Sequence, residues 1–175
     1  ITGRVDGAVF YEGRLVEELG ELGWGRDYEL DRPKYERARK ALRDFLRAVR
    51  PIGEPTPYYA ILVADGDRMG ETLAELKRFE EHRDLSGALE DFARGARTTV
   101  TEHEGSLVYS GGDDVLALLP LHRALECTAN LAENFAKKLS CFALGARGPT
   151  LSAGLAIVHH LMPLDESLAL ARAAE

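Results

Sequence analysis

The chain is 175 residues long, with 45% hydrophobic and 29% charged residues and a formal net charge of −7. This length is enough to bury one good core, and the composition is that of an ordinary globular protein. No apolar run approaches the roughly 20 residues that span a bilayer, and the acidic balance argues against wrapping nucleic acid with the whole surface. The only cysteines, Cys127 and Cys141, are too few for a disulfide framework and favour reduced thiols in a cytoplasmic protein.

Residues 1–57 are predicted to be a helical lead-in. Because the chain begins with Ile1, we expect it to be a piece of a longer protein. A short helix is predicted near Leu15–Leu22, and a longer amphipathic helix from Pro33 to the residue before Pro51. The stretch 32–50 holds eight basic residues against two acidic ones, which fits either a solvated helix face or a contact with RNA or a partner subunit. The prolines at 51, 55 and 57 predict a linker, and therefore a domain boundary at residue 57.

The elements that follow come in a clear order. Tyr58 to Ala64 is a continuous apolar run of strand length, and Gly66 to Gly70 turns the chain into a helix. Ser86 is expected to cap a second helix, which Gly105 stops. The sequences SLVYS and VLALL flank GGDD and predict a β-hairpin, because adjacent glycines supply the positive φ angles of a tight turn.

The last part of the chain completes the pattern. An amphipathic helix is predicted over Leu121–Leu139, a fourth strand over Thr150–Val158, and a final helix capped by Asp165. The order strand–helix–strand–strand–helix–strand predicts an α+β, ferredoxin-like βαββαβ fold. In such a fold the antiparallel sheet packs its helices on one face.

Two acidic motifs fall at the ends of predicted strands. Asp65-Gly66-Asp67 follows the first strand, and Asp113-Asp114 lies in the hairpin turn. The first strand and the hairpin are neighbours in a βαββαβ sheet, so we expect these carboxylates to meet at one edge. Clustered carboxylates disfavour one another's ionisation unless a cation balances them, and oxygen ligands suit Mg²⁺ or Mn²⁺. A pair of such ions is the usual device for in-line displacement at phosphorus.

The residues around the acidic motifs suit a nucleotide. Gly111 and Gly112 leave the turn without side chains, so a nucleotide can lie against the backbone. Arg68-Met69-Gly70 opens a helix whose free N–H groups suit a triphosphate. An isolated GGDD or Asp-Gly-Asp is an ordinary turn. In the right order of elements, the pair of motifs favours a catalytic metal site.

The segments YYAILVADGDRMGETL and GSLVYSGGDDVLALLP resemble the active palm domain of the large subunit of type III CRISPR effector complexes, most closely the type III-B, or Cmr, branch. There is weaker similarity to GGDEF-class diguanylate cyclases, from which Arg68-Met69-Gly70 and Asp113-Asp114-Val115 depart. The similarity covers about Tyr58 to Leu170, and residues 1–57 resemble the region that joins that subunit's two palms. The palm, 58–175, stops before an Ala-Lys stretch that related palms have, so we expect it to be truncated at its C-terminal end. Loss of activity in the isolated fragment is therefore one of the expectations.

The resemblance implies a nucleotidyltransferase that makes cyclic oligoadenylates from ATP with two divalent ions, Mg²⁺ or Mn²⁺. By position, Asp65 and Asp113 would bind metal with help from the Gly66 carbonyl, and Asp114 would complete the metal site or help to activate the 3′-hydroxyl. Asp67 is expected close to the metal or as an occasional ligand. The residues expected to line the nucleotide are Gly66, Asp67, Arg68, Met69, Gly70, Ser110, Gly111 and Gly112.

The resemblance also implies partners. These are ATP, a second palm domain of the same subunit, other subunits of the effector complex and, through the complex, guide RNA and target RNA. No membrane partner is expected. Two other functions stay open at this stage. One is a GGDEF-type dinucleotide cyclase that uses GTP, and the other is a non-catalytic palm that serves as a scaffold for subunits or guide RNA.

Overall fold

The computed structural model describes residues 28–51, 56–143 and 148–175. The chain divides into two compact units, Ile1–Pro57 and Tyr58–Glu175. The helix predicted near Leu15–Leu22 lies outside the described residues. Among the helices that the structure describes, none combines the length and hydrophobicity that crossing a membrane requires.

The first unit contains one long described helix, α1, which spans Tyr28–Val49. It begins five residues before the predicted start, so Pro33 lies inside the helix. The sequence favoured Pro33 as the first residue because the missing proline N–H has no intrahelical partner to lose at that position. The predicted apolar face is only partly buried: Leu42 is buried and Val49 half-buried, whereas Phe45 is 43% exposed.

The second unit is a four-stranded antiparallel sheet with helices packed on it. The strand order is β2-β3-β1-β4, and every neighbouring pair is antiparallel. This is the order of the βαββαβ fold, so the predicted α+β, ferredoxin-like architecture is confirmed. In chain order the elements are β1 (Tyr58–Gly66), α2 (Met69–Glu75), α3 (Phe79–Glu102), β2 (Ser106–Gly111), β3 (Asp114–Leu119), α4 (Leu121–Lys138), a 3-10 turn (Ser140–Phe142), β4 (Leu151–His159) and α5 (Leu164–Ala174).

The main core lies between the sheet and helices α3 and α4. Alternate residues of β1, such as Leu62, point to this side because successive side chains of a strand face opposite ways. There they meet Phe92 of α3 and Phe135 of α4, whose rings pack edge to face with centroids 4.9 Å apart. Both rings are almost fully buried, and burying one such side chain stabilises a fold by about 1.5–3 kcal/mol.

The other face of the sheet carries a smaller core under α5. Ile61 of β1 and Val158 of β4 pack there with Ala171. A Cβ at Gly154 would overlap the carbonyl oxygen of Ala171 and lie 2.6 Å from the amide nitrogen of Glu175. The missing side chain therefore allows the end of α5 to lie directly on β4. The sequence predicted helices on one face only, so this second layer is a difference from the prediction.

Two predicted helix caps are also wrong. Helix α3 begins at Phe79, and Ser86 lies inside it, where its hydroxyl donates to the carbonyl oxygen of His82 at 2.9 Å. The role of the cap is taken by Glu81, whose carboxylate accepts hydrogen bonds from the backbone N–H groups that precede the helix. Asp165 lies in the first turn of α5 rather than at its cap. The N-cap position of α5 is Pro163, which has no side-chain cap hydrogen bond.

Candidate active site

Strand β1 and the β2–β3 hairpin bring three carboxylates together. Ala64 pairs with Val115 at the end of the β1–β3 ladder, so Asp65 and Asp114 follow on adjacent strands and on the face that α5 partly covers. Asp113 lies in the turn just before β3. One carboxylate oxygen from each aspartate lies within 4.8 Å of the others. The two motifs, which lie about fifty residues apart along the chain, therefore meet in space.

The hairpin turn needs its two glycines for different reasons. Gly112 has a φ of +69°, in the left-handed region that favours glycine, and it is the one glycine among the described residues with a positive φ. Gly111 pairs with Asp114 in the ladder. A Cβ there would overlap the hydroxyl of Tyr109 and lie 2.5 Å from the ring carbon that bears it. The first glycine thus makes room for an aromatic ring, and the second makes the turn.

Gly66 makes room for one of the aspartates. A Cβ at Gly66 would lie 2.7 Å from the Cβ of Asp113 and 2.9 Å from the ring of Phe135. Contacts this short do not occur between real side chains, so an alanine would displace Asp113 or distort β1. The sequence predicted Gly66 as a carbonyl ligand and a nucleotide-lining residue, whereas the structure shows that the missing side chain also makes room for Asp113.

The charges in the cluster are poorly balanced by the protein alone. A hydrogen bond with Asp65, followed by burial and the charges of Asp65 and Asp113, raises the pKa of Asp114. Burial, and then the charge of Asp65, raises the pKa of Glu175, which lies nearby at the end of α5. The raised pKa values mean that the carboxylates disfavour one another's ionised forms. A bound cation would stabilise the ionised forms.

The cluster fits a hard divalent cation. Its three ligand groups are carboxylates, and no histidine or cysteine belongs to the group among the described residues. Oxygen-only ligands suit Mg²⁺ or Mn²⁺, whereas structural zinc sites are dominated by nitrogen and sulfur. Asp65 and Asp114 are exposed and Asp113 is half-buried, so an ion would reach them from solvent.

Asp67 is not brought into this cluster. Its two carboxylate oxygens accept hydrogen bonds from the hydroxyls of Thr150, at 2.6 Å, and Ser152, at 2.7 Å. Its backbone N–H also donates to the Thr150 carbonyl at 2.7 Å. The two hydroxyl hydrogen bonds lower the pKa of Asp67. Asp67 therefore joins the turn after β1 to the start of β4 by hydrogen bonds.

The next three residues of the motif have mixed positions. Arg68 adopts a left-handed backbone conformation, and its guanidinium donates to the carbonyl oxygen of Gly148 at 3.0 Å. Met69 is only 8% exposed and packs into the main core, so a nucleotide could meet only its backbone. Gly70 is exposed in the first turn of α2, which has seven residues. The Ser110 hydroxyl donates to the Ala93 carbonyl at 3.3 Å, on the side of the sheet away from α5.

Sequence reasoning missed the residues that enclose the open side of the cluster. A cavity of about 440 Å³ is lined by Asp65 and Asp114 together with Tyr109, Arg172 and Glu175. Neither α5 residue belongs to a recognisable motif. The one available signal was Tyr109, an aromatic residue two positions before the glycine pair.

This fold and this site define a class of protein. A ferredoxin-like sheet with acidic residues at the end of its first strand and in its central hairpin is the arrangement of a palm domain. Residues 58–175 match the family model described as Cas10/Cmr2, second palm domain. The chain belongs to this family.

A known relative supports the family assignment. The chain is 37% identical over 159 residues to the CRISPR system Cmr subunit Cmr2 of Pyrococcus furiosus, and the match covers 76% of this chain. It spans only 18% of the length of that relative.

Solved structures show the same fold at lower identity. Csm1 from T. onnurineus has a TM-score of 0.59 and 17% identity over 68% of this chain and 19% of its own. A Csm1–Csm4 cassette in complex with cA4 has a TM-score of 0.51 and 16% identity over 66% of this chain and 18% of its own.

Proposed function

We propose that this chain is the catalytic palm of a metal-dependent nucleotidyltransferase that makes cyclic oligoadenylates from ATP within a type III CRISPR antiviral effector complex. The observation that carries the proposal is the meeting of Asp65, Asp113 and Asp114 at one edge of a Cas10/Cmr2 palm. Further support comes from the Csm1–Csm4 cassette, which has been solved in complex with AMPPNP, with pppApA and with cA4.

The residues of the chain divide the work. Asp65 and Asp113 would hold the divalent ions with the Gly66 carbonyl, and Asp114 would complete this set or help to activate the attacking hydroxyl. Two divalent ions at such a site lower the pKa of the attacking hydroxyl and neutralise the leaving pyrophosphate. The 3′-hydroxyl oxygen of one ATP bonds to the α-phosphorus of another. The bond from that phosphorus to the oxygen bridging the α- and β-phosphates breaks, so that pyrophosphate leaves, and the hydroxyl proton passes to solvent. Because two of the carboxylates lie on paired strands and the third in the adjoining turn, the chain supplies position and charge before substrate arrives.

The proposal places the chain in the cytoplasm beside other subunits of the complex. The relatives are a Cmr subunit and Csm1 bound to Csm4, so further effector subunits are the natural partners. A second palm of the same subunit would supply the other nucleotide, and guide RNA and target RNA would act through the complex. Because the chain is a small part of its relative, activity belongs to the complete subunit.

The decisive test is the double substitution Asp113→Asn with Asp114→Asn in the complete subunit within its assembled complex. With ATP and Mg²⁺ or Mn²⁺, oligoadenylate detected by mass spectrometry should fall by more than about 100-fold, because the site loses two anionic ligands. The matched control is Asp165→Asn, an exposed acid at the start of α5, which follows the opposite end of the sheet. Undiminished product from the double variant would refute the proposal.

The same assay separates the two other functions. A dinucleotide cyclase would convert GTP, supplied alone, into a cyclic dinucleotide of different mass. A scaffold palm would give no product from either nucleotide and would bind ATP equally with and without divalent metal. The proposal is supported over both alternatives if product forms when ATP is the only nucleotide supplied and disappears in the double variant.

A further inference from the structure

We infer that the cavity between β1, β3 and α5 is a nucleotide subsite in which Tyr109 stacks on the base and Arg172 binds a phosphate. The inference rests on the proposed function, because it assigns two further substrate-binding residues to the same site. Neither residue belongs to the acidic motifs or the glycine turn. Four observations carry it: a β-bulge, an uncovered aromatic ring, an unpaired cation and an apolar floor.

The bulge decides which way Tyr109 points. Leu107 pairs with Ala117 and Tyr109 pairs with Leu116, so Val108 is an extra residue in β2. Without this insertion, residues 107 and 109 would share the core face of the sheet. With it, Tyr109 lies on the other face, where Leu116 and the carboxylate of Asp114 also lie. Bulges commonly re-aim a side chain beside an active site, and here the change brings an aromatic ring to the cavity.

The ring itself is held but uncovered. Its hydroxyl lies over Gly111, in the space that a Cβ would take, so the ring extends along β2 toward the hairpin turn. Tyr109 remains 54% exposed, although it is a large aromatic residue next to a cavity. Uncovered aromatic rings beside basic and metal-binding groups are stacking surfaces for nucleobases. The position of this ring suits a base whose phosphates reach the acidic cluster.

Arg172 supplies the complementary charge. It lines the same cavity as Asp65 and Asp114, and it forms no hydrogen bond or ion pair within 4 Å of the described residues. The charge of Arg172 lowers the pKa of Glu175, but burial raises that pKa by more. A guanidinium presents a planar fork of donors that matches a phosphate. Arg172 could therefore bind a phosphate on one side while a metal ion at the acidic cluster contacts it on the other.

The floor of the cavity completes a nucleotide-binding surface. It is formed by half-buried aliphatic side chains, Val63, Leu116 and Leu168. Ligand sites of this kind are mostly apolar, with a few placed polar groups that fix orientation, and their volumes run from about 300 to 1,000 Å³. The cavity of about 440 Å³ falls within this range. A metal ion alone would not need the aromatic ring or the apolar floor.

The test uses the complete subunit in its complex and the probe α,β-methylene-ATP with Mg²⁺, which binds without releasing pyrophosphate. Arg172→Ala and Tyr109→Ala should each weaken binding by about tenfold, measured by calorimetry. Tyr109→Phe should bind normally, because the ring is kept, and Arg172→Lys should lose part of the affinity, because the fork is lost. Arg97→Ala on α3 is an exposed control that should bind like the unchanged protein.

Turnover separates binding from chemistry and from misfolding. Both alanine variants should raise KM with little change in kcat, because they remove binding that substrate and transition state share. Inorganic triphosphate should report the loss at Arg172 and not at Tyr109. Unchanged affinity and KM in both alanine variants would overturn the subsite while leaving the proposed function intact if Asp113→Asn with Asp114→Asn still abolishes product. If that double variant keeps its product, the proposed function fails, whatever the result at Arg172.

Discussion

Asp65 and Asp67 lie two residues apart in one motif, yet their carboxylates have opposite surroundings. Asp65 faces two other aspartates, and no positive side chain of the described residues pairs with it. Asp67 accepts hydrogen bonds from Thr150 and Ser152 with both of its oxygens. The first carboxylate is therefore available to a cation, and the second is used by the fold. Which role an acidic residue takes is decided by its neighbours on other strands.

The largest expected effect comes from removing the available carboxylate. Asp65→Asn should lower oligoadenylate output by more than about 100-fold and weaken Mn²⁺ binding, because one of three anionic ligands is lost. Folding stability should stay the same or rise slightly, since a repulsive charge disappears from the cluster. Product assays, Mn²⁺ titration followed by electron paramagnetic resonance and thermal unfolding measure the three effects. A folded Asp65→Asn variant with normal activity would show that Asp65 is not needed as a metal ligand.

The next effect tests the space that the cluster needs. Gly66→Ala places a methyl group against the Cβ of Asp113, which must move or strain β1. We expect a loss of about tenfold in activity and a cost of about 1–3 kcal/mol in the free energy of unfolding. Gly95→Ala on α3 is the matched control, because a Cβ there meets nothing within 4 Å. Equal behaviour of the two alanine variants in activity and urea unfolding would show that the short contact has no consequence.

A smaller effect comes from the carboxylate that the fold uses. Asp67→Ala leaves the hydroxyls of Thr150 and Ser152 without their acceptor and should lower the free energy of unfolding by about 1–2 kcal/mol. Mn²⁺ affinity should change much less than in Asp65→Asn. Urea unfolding and Mn²⁺ titration give the two numbers. Loss of metal affinity as large as that of Asp65→Asn, without loss of stability, would make Asp67 a ligand.

The smallest effect concerns a third carboxylate, Glu81, which accepts backbone hydrogen bonds from Arg78 and Lys77. These bonds lower its pKa from 4.5 to about 2. Because the folded pKa lies below the unfolded value, the stabilisation is present above about pH 4.5 and is lost as the pH falls toward 2. Glu81→Gln should flatten the dependence of unfolding free energy on pH within this window. An unchanged slope would show that the bonds do not form in solution.

The sequence was sufficient for the framework of the site. The apolar run of β1 and the glycine pair of the hairpin predicted both elements, and the order of elements predicted the sheet. Because neighbouring strands were thereby known, the meeting of Asp65 with Asp113 and Asp114 could be predicted as well. These features depend on periodicity and connection order, which are local properties of a sequence.

The rest depends on contacts between distant residues. The partners of Asp67 are 83 and 85 residues away, and no local pattern connects them. The bulge at Val108 changes the facing of Tyr109 without changing the alternation of residue types around it. The packing of α5 on Gly154 brings Arg172 to the site, and a lone glycine in a strand does not specify which helix will lie on it.

One measurement tests the central claim most directly. Crystals of the complete subunit soaked with Mn²⁺ would show the ions by anomalous scattering, independently of any activity. The account predicts manganese at about 2.1 Å from carboxylate oxygens of both β1 and the hairpin, supplied by Asp65 and by Asp113 or Asp114. Manganese bound to only one of the two motifs, or no manganese near either at saturating concentration, would contradict it.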